Sequence, residues 1–457
     1  MAGGIWTSEN KVLPGVYINV KSQPSTVANI GDRGVVAIPK ALSWGAPGEV
    51  IEITPGEDTT ALIGYPVTDS HARFLLEMMK GTDVSACPKK IYVYRYSGGT
   101  GGGTKAAASG SETVESDTLT YTIEAKYPGV RGNDLSVTGV LDPDTGGMVV
   151  STYLDGYLVG SETITEAGAI SNDWCNITLE GSLVDFTATL AGGVDPVPTV
   201  TDDAAAITAL ETYTWDILCY DGTTPLTIAA YVAFVKRMNE SIGRKCQLVI
   251  GNTPGENSPY VISVRNGVTL NDGTVLTAEQ ATWWVAGAEA GANYNQSLTY
   301  AQYPGAVAAN PKLTDDETAA AIEAGQIAII GEFDTVKICS DINSKTTITT
   351  DEGAEFKKNR VMRVLMTFCN DVYKHFATYF IGKVDNNAAG RSLLRAWIIG
   401  YLNEMQANNG IQNFVADDVE VLPGATIDAV VINVALQPTD SVEKVYVSVT
   451  VSVNANA

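Results

Sequence analysis

The sequence predicts a multidomain protein that combines an α/β layer with all-β and α+β parts and carries an extended strand at each end. Three observations predict it. Between 201 and 350, strand-like apolar runs alternate with helical ones, the signature of a largely parallel sheet covered by helices. Between 110 and 196, short alternating segments are separated by Gly, Asp and Pro turns, which reads as a small acidic β-sandwich insert. From Ile427 to Asn454 the alternation is stricter than anywhere else, with Val445, Val447, Val449, Val451 and Val453 interleaved with Tyr446, Ser448, Thr450, Ser452 and Asn454.

Taken in order, residues 1–33 form an extended arm. Val16, Ile18 and Val20 alternate with Tyr17, Asn19 and Lys21 after Pro14-Gly15, a short strand set among turn-forming residues that cannot bury a core of their own. Residues 34–96 mix strands (35–39, 91–96) with one helix whose buried stripe is Phe74, Leu75, Met78 and Met79, with Ser70 as N-cap and Gly81 as C-cap. Residues 97–109 open with Ser97-Gly-Gly-Thr-Gly-Gly-Gly-Thr104, read as a flexible linker. The run fails as a dinucleotide-binding loop, because the sixth position counted from Gly99 is Thr104 and no helical pattern follows.

In the insert, 119–125, 135–140, 148–154, 157–163 and 176–179 are the expected strands. The α/β part, 197–350, is expected to contain helices at 202–211 and 227–238, strands at 215–220 and 246–251, and two further helices opened by the capping boxes Thr277-x-x-Gln280 and Thr314-x-x-Glu317. The second of these helices stops at Gly325 and runs into an apolar stretch, 326–330. The last part, 351–457, is expected to hold two long helices on a small sheet. One spans about 355–381; the other starts at Asp385-Asn386-Asn387 and buries Leu393, Leu394, Trp397, Ile398, Leu402 and Met405. Phe414, a turn at Leu422-Pro423-Gly424 and the terminal strands follow, with Gln437-Pro438-Thr439-Asp440 supplying turn chemistry between them. A terminal strand of this kind either pairs within its own sheet or is lent to another molecule.

Charge and composition exclude several function classes. A net charge of −23 argues against nucleic acid as a partner. No run approaches the length of a membrane span, and the start has neither a basic region nor an apolar one of the export type, so a soluble chain made in the cytoplasm is expected. The six cysteines are scattered without a CxxC pair and are expected as buried thiols. From Lys105 to Glu211 there are 17 acids and 3 bases, a balance of −14; from Glu355 to Arg395 there are 3 acids and 8 bases, a balance of +5. Lys357, Lys358, Arg391 and Arg395 belong to that basic island, which fits either a charged partner surface or a solvated helix face.

Catalytic motifs do not emerge. His71 and His375 are the only histidines, and each reads as a partly buried helical residue rather than a base. There is no G-x-S-x-G elbow, P-loop or H-E-x-x-H. Asp142-Pro-Asp144 has a faint calcium-loop look, but Tyr153 stands where a bidentate Glu is needed, so a turn between strands is expected. Gly251-Asn-Thr-Pro-Gly255 ends a β-run as phosphate-approaching loops do, without a nearby Lys or Arg. Neither cofactor nor metal is expected. An atypical α/β hydrolase is disfavoured by the scarcity of histidine, and a surface-layer protein by the missing export signal.

The ends of the chain carry a resemblance. Trp6-Thr7-Ser8, Pro14-Gly15-Val16-Tyr17-Ile18 and Gly31-Asp32-Arg33-Gly34-Val35-Val36 resemble the N-terminal arm of contractile-tail sheath proteins. Tyr379-Phe-Ile-Gly-Lys-Val-Asp-Asn-Asn387 with Gly390-Arg391 resembles the helical hairpin of their C-terminal domain. Phe414-Val-Ala-Asp-Asp-Val419, Ile427-Asp-Ala-Val-Val431, Gln437-Pro438 and Glu443-Lys444-Val445-Tyr446 resemble their terminal strands, in the manner of myophage, prophage and bacteriocin sheaths of Gram-positive bacteria.

The resemblance implies that 197–350 is a subtilisin-like domain in fold only, without a catalytic triad, and that 34–96 packs with the C-terminal domain. It implies that the arm strands (Val16, Tyr17, Ile18, Val20; Val445, Val447, Val449, Val451) join a neighbouring subunit and stitch stacked hexameric rings around a tail tube. It also implies baseplate and tail terminator partners, a place in the virion tail with assembly in the host cytoplasm, and the basic residues Lys357, Lys358, Arg391 and Arg395 as candidate tube contacts.

Overall fold

A computed structural model describes residues 31, 33–99, 102–142, 144 and 146–451, together with the backbone of 2–4 and 15–17. Its centre is a seven-stranded sheet in the order Gln326–Ile327, Val261–Val264, Gln247–Gly251, Ile217–Tyr220, Val35–Lys40, Lys90–Arg95, Val50–Ile53. Every neighbouring pair is parallel except the last. Strands buried on both faces need apolar side chains at successive positions, and the sequence supplies them. Val36, Ile38, Ile217, Cys219 and Val249 join the core under the helix Ala278–Gly291. Ala37, Leu218, Tyr220, Leu248 and Ile250 join the opposite core under Val200–Leu210 and Pro225–Arg237.

This pairing adds to the expected placement of 34–96: Val35–Lys40 hydrogen-bonds alongside Ile217–Tyr220, so these residues complete the central sheet. A run buried at Val36, Ala37 and Ile38, each 0 % exposed, is stable only in the middle of a covered sheet.

The expected linker at 97–109 is corrected. The backbone amides of Ser97 and Gly98 donate to Asp202 Oδ1 at 3.1 and 2.9 Å, and Lys105 already begins the strand Lys105–Val114. Burial raises the Asp202 carboxyl pKa, but hydrogen bonds from Thr199, Ser97 and Gly98 outweigh that and hold it down to about 2. Asp202 also completes a capping box with Thr199, which starts its helix at Val200 rather than at 202.

Residues 105–189 form two four-stranded antiparallel sheets. Side chains from both, including Leu119, Ile123, Val137, Val150, Ile177 and Phe186, make one cluster. Trp44 from the body stacks on Trp174 within that cluster, at 5.1 Å between centroids. Arg131 pins the insert to the body through Gly64 O at 2.7 Å while pairing with Asp134 and Asp155. The Asp142 region is a turn closed by Gly146 N to Asp142 O at 2.8 Å.

The C-terminal part is a helical hairpin, Asn359–Tyr379 and Ala388–Ala407, packed on a two-stranded ribbon of Val419–Pro423 with Val430–Val434. Asn387 caps the second helix by accepting from Gly390 N at 2.9 Å. Leu394, Ile398, Leu402 and Met405 are buried as expected. Leu393 is not: one position along, about 100° of helical rotation turns it outward, and it is 55 % exposed.

Candidate assembly surface

Of residues 443–453, expected as a strand, the described ones, 443–451, have no strand partner among the described residues of this chain. The strand Val430–Val434 is satisfied by the ribbon, and residues 410–412 and 437–439 are still tied together by Gln412 N to Gln437 O (2.9 Å) and Thr439 N to Gly410 O (3.0 Å). Val445, Val447, Val449 and Val451 are 75–81 % exposed and Tyr446 is 90 % exposed. Among the described residues this alternating, β-competent segment has no sheet to join. The ribbon is the converse, a sheet to which the described residues supply two strands and no third.

At the other end Gly15–Tyr17 pairs in parallel with Ala2–Gly4, bringing Val16 opposite Gly3 and Tyr17 opposite Gly4. Ile18 and Val20 lie outside the described residues. The root of this arm is fastened: Gly31 N donates to Asp371 at 2.6 Å, Tyr401 Oη donates to the same oxygen at 2.6 Å, and Gly34 N and Val35 N donate to Asp216. Burial pushes the Asp371 carboxyl above its ordinary pKa.

The four basic residues do not converge. Lys357 donates to Ile322 O at 2.6 Å and Lys358 pairs with Glu443, both at the base of the hairpin. Arg391 donates to Asn386 at 3.0 Å and Arg395 to Val419 O at 2.8 Å, near the tip. At 1.5 Å rise per residue the helices separate the two pairs by roughly 30 Å. The island's most buried member, Arg363, is an internal strut. It pairs with Glu289 and with Asp341 (2.7 Å), all three at most 1 % exposed, and so joins the central sheet's helix to the hairpin. Burial and the neighbouring Asp341 raise the Glu289 pKa; burial also opposes ionisation of Asp341, but Arg363 and the hydrogen bonds from Glu289 and Leu298 N together outweigh it and hold its pKa below the ordinary value.

The hairpin also exposes large apolar side chains. Tyr373, Tyr379, Ile381 and Leu393 are 55–68 % exposed. His375 stacks on Trp397 at 3.9 Å beside a cleft of about 560 Å³ lined also by Tyr379, Phe380 and Leu393. Hydrophobic periodicity places Leu393 and Trp397 on the buried side of the helix, whereas Leu393 is exposed and Trp397 is only partly buried.

Ligands of open α/β sheets sit at the carboxyl ends of the strands. Here Lys40 and Asp221 pair across two such ends, Trp283 Nε1 donates to Asp221 at 2.8 Å, and the Lys40 ammonium lies 4.8 Å from the Trp283 ring centre. That crevice is filled by the protein's own side chains. His71 is engaged with Asp69 at 2.8 Å on the surface rather than partly buried, and it stacks on Tyr65.

Among the described residues, then, the polar crevice is closed by the protein's own side chains and the stretch 445–451 has no strand partner. Three family models match along the chain: "Phage tail sheath protein central domain" over 197–344, "Phage tail sheath C-terminal domain" over 351–452, and "Tail sheath protein Gp18 domain III N-terminal region" over 33–95. The uncharacterized protein YqbK of Bacillus subtilis is 31 % identical over 485 aligned residues, covering 99 % of this chain and 100 % of YqbK. The crystal structure of the sheath tail protein from Desulfitobacterium hafniense is 37 % identical, with a TM-score of 0.81 over 95 % of this chain and 99 % of that one. The helical sheath of the anti-feeding prophage in its contracted state shares the fold at 12 % identity, with a TM-score of 0.57 over 96 % of this chain and 99 % of that one. The chain belongs to the phage tail sheath family, a structural and not an enzymatic one.

Proposed function

We propose that this sheath protein polymerises as stacked hexameric rings around a tail tube and contracts to drive the tube through a cell envelope. The observation that carries the reading is the valine arm 445–451, which is strand-patterned, exposed and unpaired. Lent to the two-stranded ribbon of a neighbour, it satisfies its own backbone groups and the ribbon's open edge together. The N-terminal arm strand, with Val16 and Tyr17, does the same for another neighbour.

Backbone ladders suit a structure that changes shape. Their hydrogen bonds persist while the flanking arms bend, and the bodies rotate rigidly between two packings. The extended state is held kinetically. Contraction is driven by additional buried interface; at about 25 cal/mol per Å², a few hundred Å² per subunit supplies several kcal/mol before entropic and polar costs. Within this reading 110–196 is a β-sandwich on the outer surface, 197–350 is subtilisin-like in fold, and the hairpin faces the tube. Arg391 and Arg395 at its tip are the candidate tube contacts, along with Lys357 and Lys358 at its base. Baseplate and terminator proteins cap the polymer, and assembly takes place in the host cytoplasm.

Sheaths of non-phage injection machines are a second reading, favoured by the fold shared with the anti-feeding prophage sheath. Truncation after Lys444 tests both readings together. The truncated chain should fold and fail to form tubes in negative stain; long tubes from it refute strand lending.

A further inference from the structure

The arm does not simply trail away after the last turn. Glu443, whose side chain is only 14 % exposed, is held on two sides within an otherwise exposed stretch. Its Oε1 accepts from the Thr299 hydroxyl at 2.8 Å and its Oε2 from the Lys358 ammonium. Thr299 Oγ1 in turn accepts from Asp341 N at 2.9 Å. The Asp341 carboxylate accepts from Arg363 and from Leu298 N (2.9 Å) in the buried ion cluster. Lys358 stands immediately before the first hairpin helix. Glu443 is thus wired to the seam where the central sheet's helix, the 341 loop and the hairpin meet. Residues 441–445 lie along a groove of about 990 Å³, lined also by Tyr300, Ile322 and Lys357. On either side of this anchored residue the chain is open to solvent, with Val442 86 % and Val445 75 % exposed.

We propose that Glu443 is the residue that aims the C-terminal arm, fixing the point and direction from which the valine strand is lent. This rests on the lending reading above and adds its hinge. A segment with one fixed end samples a far smaller volume than one released several residues earlier, so its effective concentration at a receiving ribbon is higher. The clamp also gives Lys358 a task inside the subunit. On contraction, the arm bends after Glu443 while the residues before it stay with the body.

The test uses the full-length chain in four variants: Glu443→Ala, Lys358→Ala, the charge exchange Glu443→Lys with Lys358→Glu, and truncation after Lys444. Monomer melting and the concentration needed for tube formation are measured for each. Melting should stay at the wild-type value in all four. Each single substitution should raise the required concentration by about tenfold, the worth of one charge-assisted contact, the exchange should recover most of that loss, and the truncation should abolish tubes. Single variants that assemble like wild type, while the truncation does not, overturn the clamp and leave strand lending intact. Impaired single variants without recovery in the exchange overturn it too, since a merely structural role predicts that pattern. Tubes from the truncated chain overturn the lending reading and the clamp with it.

Discussion

Leu119, Tyr121, Ile123 and Ala125 alternate with polar residues much as Val445, Val447, Val449 and Val451 do, yet the first four are at most 8 % exposed and the last four 75–81 %. The insert strand Asp117–Pro128 has ladder partners on both sides, Lys105–Val114 and Cys175–Gly181, and an opposing sheet to cover its apolar face. Among the described residues the arm has neither. A period of two specifies a strand and leaves open who supplies the neighbour. In the insert the supply is intramolecular. Under the proposed strand lending, the arm's exposure is the property that assembly uses.

The comparison is sharpest where burial is most complete. Arg363→Ala leaves Glu289 and Asp341 as unpaired buried acids and should cost about 3–5 kcal/mol in chemical denaturation; a loss near zero removes the strut. Ile123→Ala, at a site with 0 % exposure, should cost about 2–4 kcal/mol. Its counterpart Val449→Ala should change monomer stability by less than about 0.5 kcal/mol. Equal losses at the two sites would erase the distinction drawn here.

A smaller effect is expected at Asp202. Its depressed pKa means that the pin on Ser97 and Gly98 contributes fully above the ordinary carboxylate range, about pH 4. The contribution fades as pH falls toward about 2. Asp202→Asn should flatten that part of the acid-unfolding curve; an unchanged curve shows that the pin does not hold the crossing.

Local chemistry was legible in the sequence. The capping boxes Thr277–Gln280 and Thr314–Glu317 and the Asn387 cap stand where the residue spacing placed them, because each depends on residues three apart. The strand at 148–154 likewise followed from its own alternation. Long-range partners were not legible. Nothing in Val35–Lys40 says that Ile217–Tyr220, some 180 residues on, will lie beside it. A glycine-rich run looks like a linker until Asp202 is seen to hold it. The basic island looked like one surface because charge counting ignores where side chains point, whereas Arg363 is buried and Lys358 is taken by Glu443. Leu393 misled for a related reason: helical spacing defines a stripe but leaves its edge to whatever packs nearby. The candidate assembly residues at 445–451 were readable as a strand, and their lack of a partner was visible only in three dimensions.

Amide hydrogen exchange of residues 445–451, followed in the monomer and in assembled tubes, tests the central claim most directly. Strand lending predicts that these amides exchange freely in the monomer and become strongly protected in the tube, while those of 119–125 are protected in both. Arm amides that stay unprotected in the tube, or that are already protected in the monomer, would contradict it.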